Sequence, residues 1–239
     1  LGPRVVDNLS MTRHLGKEYG EDFMREKGLL SVSGIVPGVM MGLSIMLAWR
    51  WCTQKDTMKI GIVLGSIRDH RKGESVARWV LDNCPAREGV DFEIIDVSGF
   101  DLPLLSDETL PAMRGGSYDD PRVQSFADRI ASCDGYIFVT AEYNHGIPGA
   151  FKNAIDLLGP ELFGKPVAFV SYGALLGARA VEQWRLVLAN FNMFDIRNQV
   201  MLSIFTDFDE SGVAPKEGKA KELTELVDVL VPIAAKLAA

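Results

Sequence analysis

The chain has 239 residues, of which 47% are hydrophobic and 24% are charged, and its formal net charge is −7. This composition is typical of a globular protein and argues against wholesale disorder. Because the chain is acidic and its basic residues cluster only at positions 68–72, we do not expect it to bind nucleic acid.

The cysteines and histidines show no metal-binding spacing. Cys52, Cys84 and Cys133 form no CxxC pair and are odd in number. We interpret them as reduced structural thiols of a cytoplasmic protein. The three histidines are scattered along the chain, so no metal site is predicted.

The first 57 residues differ in character from the rest of the chain. Residues 28–49 carry no charge, and a run of this length can cross a bilayer as a helix. Basic residues flank the run on both sides, so they indicate no orientation. Three alternatives stand: a membrane anchor, a soluble appendage that packs on the domain or on a partner, and a dispensable leader. We therefore predict an N-terminal extension at 1–57 and one domain at 58–239.

From residue 58 onward, apolar runs alternate with amphipathic segments. In chain order they predict a strand at 58–64, a helix at 74–83, a strand at 90–97, a helix at 121–133, a strand at 135–140, a helix at 149–158, a strand at 166–171, a helix at 178–190, an edge strand at 194–200 and a helix at 216–237. This alternation indicates an α/β domain, in which helices cover both faces of a parallel sheet. Such sheets bind ligands beyond the carboxyl ends of their strands.

The loop after the first strand, at residues 65–75, has the composition of an anion site. We predict that Ser66, Arg68 and Ser75 are phosphate ligands and that Gly73 and Glu74 supply backbone donors at a helix N-terminus. The loop matches neither GxGxxG nor GxxxxGK[ST], so neither a dinucleotide fingerprint nor a triphosphatase loop is present. An ordinary solvated basic loop is the alternative.

The loops after the third and fourth strands also precede helices. Glycine and proline give the loop at 141–149 a fixed shape that can hold a planar ring, with Tyr143 as an apolar contact and His145 either near that ring or on the surface. Small residues in the loop at 171–179 permit close approach of a ligand. There, Arg179 either reaches a phosphate or pairs with Glu182 at helical spacing.

Three stretches carry a resemblance to a known family: IGIVLGSIRDHRKGESVARWV, AEYNHGIPGAFKNAIDLL and KPVAFVSYGALLGARAVEQWR. In this order and spacing they resemble the NADPH-dependent FMN reductase family, a flavodoxin-like group that includes azo, quinone and chromate reductases. The resemblance spans residues 58 to about 200. It implies a three-layer sandwich with a five-stranded parallel sheet of order 2-1-3-4-5.

The resemblance also implies a non-covalently bound FMN. The loop from Ser66 to Ser75 would hold its phosphate. One stretch would line the isoalloxazine ring: Glu142, Tyr143, Asn144, His145 and Gly146. A second stretch would approach the ring from the other side: Ser171, Tyr172 and Gly173.

Other positions match the family or depart from it. Lys152 and Asn153 match the helix start, and Ala141 stands where proline is more usual. Members are usually homodimers or homotetramers, and residues 101–105 match a loop that often lies near the subunit interface.

The resemblance implies an FMN-dependent oxidoreductase. NADPH or NADH would reduce the flavin, and a small acceptor such as a quinone, free flavin, azo compound or metal oxyanion would then reoxidise it by a ping-pong mechanism. The flavin carries this chemistry, so we predict no catalytic side chain. Two alternatives are a flavodoxin-type electron-transfer protein with no reductase activity of its own and a flavin-free binding module.

Overall fold

A five-stranded parallel sheet forms the centre of the domain in the computed structural model, which describes residues 57–216 and 218–238. Its strand order is β2-β1-β3-β4-β5. The strands are β1 (Met58–Leu64), β2 (Val90–Asp96), β3 (Gly135–Ala141), β4 (Pro166–Gly173) and β5 (Phe194–Ser203). The predicted fold class and strand order are confirmed.

Helices cover both faces of the sheet. They are α1 (Lys72–Asn83), α2 (Pro121–Ala131), α3 (Gly149–Asp156), α4 (Ala178–Ala189) and α5 (Lys219–Leu237), with short 3-10 turns at Val97–Phe100, Pro111–Met113 and Pro160–Leu162. Helices α1 and α5 share one buried apolar cluster with the sheet. Helices α2, α3 and α4 share the other. The result is three layers.

Burial along each strand follows from the position of that strand in the sheet. Every residue of β3 and β4 is buried, as expected for parallel strands covered on both faces. In β1, Ile62 lies in register with Ile94 of β2 and Ile137 of β3. Strand β5 is an edge strand, as predicted, and it extends to Ser203 because its last residues pair with the end of β4.

Most predicted element bounds shift by one to three residues, and the three 3-10 turns and a small hairpin were not predicted. Helix α1 begins at Lys72 rather than at 74, and α5 begins at Lys219 rather than at 216. A small antiparallel hairpin, β6 (Phe208–Asp209) and β7 (Gly212–Val213), follows β5. Strands of two residues are too short to produce a readable alternation.

The described residues contain no helix that is both long enough and apolar enough to cross a membrane. The uncharged run at 28–49, together with the rest of the predicted extension, lies outside the described residues.

Candidate cofactor-binding site

The loops after β1, β3 and β4 meet at the carboxyl edge of the sheet. Strand β1 pairs with both β2 and β3, so the strand order reverses at this point, where open α/β sheets bind ligands. A direct bond joins two of the loops: the hydroxyl oxygens of Ser66 and Tyr143 lie 2.8 Å apart. Ser66 itself is buried, with 1% of its surface exposed.

An arginine that the sequence analysis did not single out fixes the shape of the first loop. Arg71 donates to the backbone oxygen of Ser66 at 2.6 Å and forms an ion pair with Asp96 at the end of β2. In the sequence, the only indication that Arg71 has a role at the site is its position in the basic cluster at 68–72. Because Asp96 already neutralises Arg71, this cation shapes the loop rather than adding free positive charge.

Arg68 is an exposed cation of this loop. Its guanidinium carbon lies 5.6 Å from the centre of the Tyr143 ring, within the range of a cation–π contact. Among the described residues it forms no ion pair with a carboxylate. Its charge therefore remains available to an anion.

The N-terminus of α1 faces the same region. The first N–H groups of a helix have no intrahelical acceptor, and Arg71 at the N-cap position provides no side-chain acceptor for them. Gly73 is buried, and a Cβ atom there would lie 2.5 Å from the Tyr172 hydroxyl oxygen. The exposed carboxylate of Glu74 pairs with Arg78 at 3.1 Å, so at this position only the backbone faces the loop.

The side chain of Ser75 is engaged within the protein. Its hydroxyl donates to the backbone oxygen of Lys72 at 2.8 Å and accepts the backbone N–H of Val213 at 3.1 Å. A hydroxyl has one hydrogen to donate. As placed, Ser75 therefore has no hydrogen left for a phosphate oxygen.

The second loop is anchored to α4 by an ion pair. Glu142 accepts from the Arg179 guanidinium at 2.5 Å and from the Arg179 backbone N–H at 3.1 Å. Arg179 thus pairs with an acid that the helical spacing did not indicate, instead of with Glu182. The Glu142 side chain is only 7% exposed, so it serves as an anchor for the loop.

A tight turn presents the middle of this loop. Tyr143 and Gly146 exchange backbone hydrogen bonds of 3.1 and 3.0 Å. Between them, Asn144 and His145 adopt left-handed backbone conformations, with φ of 49° and 66°. Gln183 of α4 braces the turn by donating to the backbone oxygen of His145 at 3.0 Å. Both Asn144 and His145 are exposed, so they are accessible to a ligand.

Ser171, Tyr172 and Gly173, predicted to begin the third loop, are instead the last residues of β4, because they pair with the neighbouring strands. Ser171 donates to the backbone oxygen of Leu176 at 2.7 Å. Tyr172 is 6% exposed. Burial raises the pKa of its phenol well above the ordinary value, and the neighbouring Tyr143 phenol raises it further, whereas a hydrogen bond with Ser66 lowers it. Gly173 is buried, and its backbone oxygen accepts from Leu176 at 3.2 Å.

The structure brings some of the predicted site residues together and directs others elsewhere, while Asn144 and His145 stay exposed in their turn. Ser66, Gly73, Tyr143 and Tyr172 meet around the start of α1, with Arg68 at the rim. The side chains of Glu74, Ser75, Glu142 and Ser171 bind other parts of the protein.

Comparison with known proteins decides the family. The NADPH-dependent FMN reductase family matches residues 58–207. The chain belongs to this family. FMN and a reduced nicotinamide are its cofactors, and the predictions of family, cofactors and an oxidoreductase are confirmed.

Relatives within the FMN reductase family come from fungi and bacteria. An NAD(P)H-dependent FMN reductase of Nectria sp. is 41% identical over 52% of this chain, and the match covers 64% of that protein. The corresponding reductase of Schizosaccharomyces pombe is 32% identical over 72% of this chain and 86% of its own length. A quinone reductase of Escherichia coli is 33% identical over 56% of this chain and 70% of its own length.

Solved structures share the fold. The flavoenzyme NAD(P)H:acceptor oxidoreductase FerB of Paracoccus denitrificans superposes with a TM-score of 0.60 at 22% identity. It covers 75% of this chain and 98% of its own. At this level of identity the likeness supports the flavodoxin-like architecture alone.

The residues at the carboxyl edge fit the FMN expected in this family. The helix N-terminus without a side-chain cap and the exposed Arg68 suit a phosphate dianion. The turn at Asn144 and His145 is exposed and so accessible to a planar ring, and Tyr143 adds an aromatic surface beside Arg68.

Proposed function

We propose that this chain is an FMN-dependent NAD(P)H oxidoreductase that transfers electrons to a small acceptor by a ping-pong mechanism. The acceptors that suit an open flavin site are quinones, free flavins, azo compounds and metal oxyanions. One observation carries the proposal: the Ser66–Tyr143 bond of 2.8 Å joins the phosphate loop to the ring loop at the reversal point of the sheet.

At the phosphate end, three kinds of donor would hold the anion. The first-turn N–H groups of α1, including those of Gly73 and Glu74, are oriented along the helix axis. Arg68 supplies an exposed positive charge. Ser66 can donate its hydroxyl hydrogen whenever Tyr143 supplies the hydrogen of their shared bond.

At the ring end, backbone groups would do most of the work. The turn from Glu142 to Gly146 would lie along one edge of the isoalloxazine, and Tyr172 and Gly173 would support it from the β4 side. Bound FMN supplies the hydride and electron chemistry. The backbone N–H groups of Asn144 and His145, at the centre of the turn, would stabilise negative charge on the reduced ring.

The test is to purify the full chain, record its visible spectrum and mix it anaerobically with NADPH or NADH before adding a quinone. We expect a yellow protein that is bleached by the nicotinamide alone and recovers its colour on addition of the quinone. Steady-state rates should give parallel double-reciprocal lines. A colourless protein that takes up no FMN would contradict the proposal.

The same experiment separates the reductase from a flavodoxin-type carrier. A carrier binds FMN but needs a partner protein to reduce it. A yellow protein that NADPH and NADH leave oxidised would therefore favour the carrier. Comparing the two nicotinamides also settles which one is preferred.

We further propose a homodimer or homotetramer in the cytoplasm. The loop after β2 exposes large apolar side chains at positions where an interface would cover them: Leu104, Leu110 and Met113. The thiols of Cys84 and Cys133 are free, which suits a reducing compartment. If residues 28–49 are an anchor, the domain would be tethered to a membrane.

A further inference from the structure

The small hairpin after β5 lies against the start of α1. We define the C-terminal hairpin as residues 203–216, with β6 and β7 at its centre. The backbone N–H of Val213 donates to the Ser75 hydroxyl at 3.1 Å. Gly212 approaches so closely that a Cβ atom there would lie 2.8 Å from the Ser75 Cβ. The hairpin therefore packs directly on the first turn of the helix.

An aromatic ring makes the second contact. The ring of Phe208 lies 6.1 Å from that of Tyr172, centre to centre. The Lys72 ammonium lies 4.8 Å from the centre of the Phe208 ring. Phe208 thus links the first residue of α1 to the buried tyrosine that contacts Ser66 and Gly73.

A buried carboxylate closes the C-terminal hairpin. Asp207 is 3% exposed. Its two oxygens accept the backbone N–H groups of Ser203 at 2.7 Å and Lys216 at 3.2 Å. Among the described residues no cation pairs with it. Two backbone donors satisfy this charge, so loss of the carboxylate would remove one hydrogen bond from each end of the hairpin.

We propose, on the basis of the FMN site proposed above, that the C-terminal hairpin is a positioning element for the phosphate end of that site. Asp207 holds the hairpin closed, and the hairpin holds the first turn of α1 through Ser75 and Phe208. The N–H groups of that turn are thereby fixed in direction before a phosphate arrives. Ser75 acts as the anchor of this brace and not as a phosphate ligand.

Pre-orientation of donors matters because a mobile turn must be ordered when the ligand binds, and that ordering reduces affinity. The effect should be confined to the phosphate. Riboflavin has the same ring as FMN but no phosphate, so the ratio of the two dissociation constants isolates the contribution of this end of the site. A general loss of stability would weaken both ligands alike.

The experiment measures the Kd of FMN and of riboflavin by fluorescence titration of the full chain, with Tm recorded in parallel. For Asp207→Asn and for Phe208→Ala we expect the preference for FMN to fall about tenfold, the scale of one hydrogen bond to a charged group. Phe205→Ala is the matched control, because Phe205 lies in the same segment with 74% of its surface exposed. It should leave the preference unchanged.

A lower Tm with an unchanged preference for FMN in both variants would overturn the proposal, because the hairpin would then support only the fold. The double variant Ser75→Ala/Asp207→Asn tests the role of Ser75. A loss equal to that of Asp207→Asn alone supports the anchor role. If the double variant loses more of the preference for FMN than Asp207→Asn does, Ser75 contacts the phosphate independently, and its assignment as the anchor of the hairpin is overturned. A wild-type protein with no preference for FMN would contradict the FMN site itself.

Discussion

The hydroxyl oxygens of Ser66 and Tyr143 lie 2.8 Å apart although the two residues are separated by 77 positions in the chain. Ser66 follows β1 and Tyr143 follows β3, and these strands are neighbours in the sheet. The bond therefore ties the loop proposed to hold the phosphate to the loop proposed to hold the ring.

Removal of the Tyr143 hydroxyl should weaken FMN binding. For Tyr143→Phe we expect the binding free energy of FMN to weaken by about 0.5–1.5 kcal/mol, which raises its Kd roughly two- to tenfold. The variant keeps the aromatic ring at position 143 and loses one hydrogen bond. Fluorescence titration measures it. Tyr118→Phe is the control, since the Tyr118 hydroxyl donates to Glu161 at 3.0 Å instead. That variant should lower stability without changing the Kd of FMN.

Two glycines near α3 should respond oppositely to alanine. A Cβ atom at Gly65 would lie 1.8 Å from the Phe151 ring, whereas one at Gly149 meets nothing within 4 Å. We expect Gly65→Ala to destabilise the fold by about 1–3 kcal/mol through overpacking. Gly149→Ala should be neutral or stabilising by up to about 1 kcal/mol, because alanine favours the helix. Urea unfolding of both variants checks this, and equal losses would contradict the packing described here.

The partner of Arg179 can be identified by removing one acid at a time. Glu142→Ala should destabilise the protein by about 1–3 kcal/mol, because it leaves a backbone donor and a guanidinium without their acceptor. Glu182→Ala should change stability by less than about 0.5 kcal/mol, since Glu182 is exposed. Thermal unfolding provides the comparison. A larger effect at Glu182 would show that the local helical pair dominates.

Alkaline pH should destabilise the domain through its thiols. Burial raises the pKa of Cys84 to about 12, and burial together with the charge of Glu93 raises that of Cys133 to about 11, from an ordinary value of 9.0. As the pH rises, the thiols of the unfolded chain lose their protons before those of the folded protein. The stabilisation by the two buried thiols is therefore complete below pH 9 and is lost as the pH rises towards their pKa values in the folded protein.

Urea midpoints at pH 8 and pH 10.5 measure this loss. Cys84→Ala should show a smaller drop between the two pH values than the wild type. The tyrosines that also ionise at high pH are the same in both proteins, so the difference reports the thiol. Identical drops would show that Cys84 does not contribute to the alkaline loss.

The exposed loop after β2 should carry the proposed subunit contact. Leu104 is 80% exposed, and a charge there would be buried on association at a high cost. Light scattering should show a dimer or tetramer for the wild type and a smaller species for Leu104→Asp. Leu186, which is 78% exposed on α4, is the matched control. If Leu186→Asp dissociates the protein instead, the interface lies on α4.

Local patterns in the sequence were sufficient for most of the architecture. Apolar runs and amphipathic spacing predicted the five strands of the sheet and the five helices. Strands buried on both faces give continuous apolar runs, and helices buried on one face give a helical period. The same patterns placed Ser66 and Arg68 in a loop that precedes a helix, which the structure shows as an open N-terminus with an exposed cation. The hairpin of β6 and β7 gives no such pattern in the sequence, because each of its strands has only two residues.

Contacts between distant segments needed the tertiary structure. Helical spacing suggested Glu182 for Arg179, but the fold brings Glu142 closer. Asp207 gave no signal in the sequence, because one carboxylate in a loop looks the same whether it is solvated or buried.

The sequence by itself determined that the loops after β1, β3 and β4 have the composition of ligand-binding loops, since loop composition is a local property. Only the tertiary structure decided which of their side chains face one another and which bind inward. Ser66 and Tyr143 meet at the reversal point of the sheet, while Ser75 is held by Val213. Packing of distant segments sets these directions, and no local pattern records it.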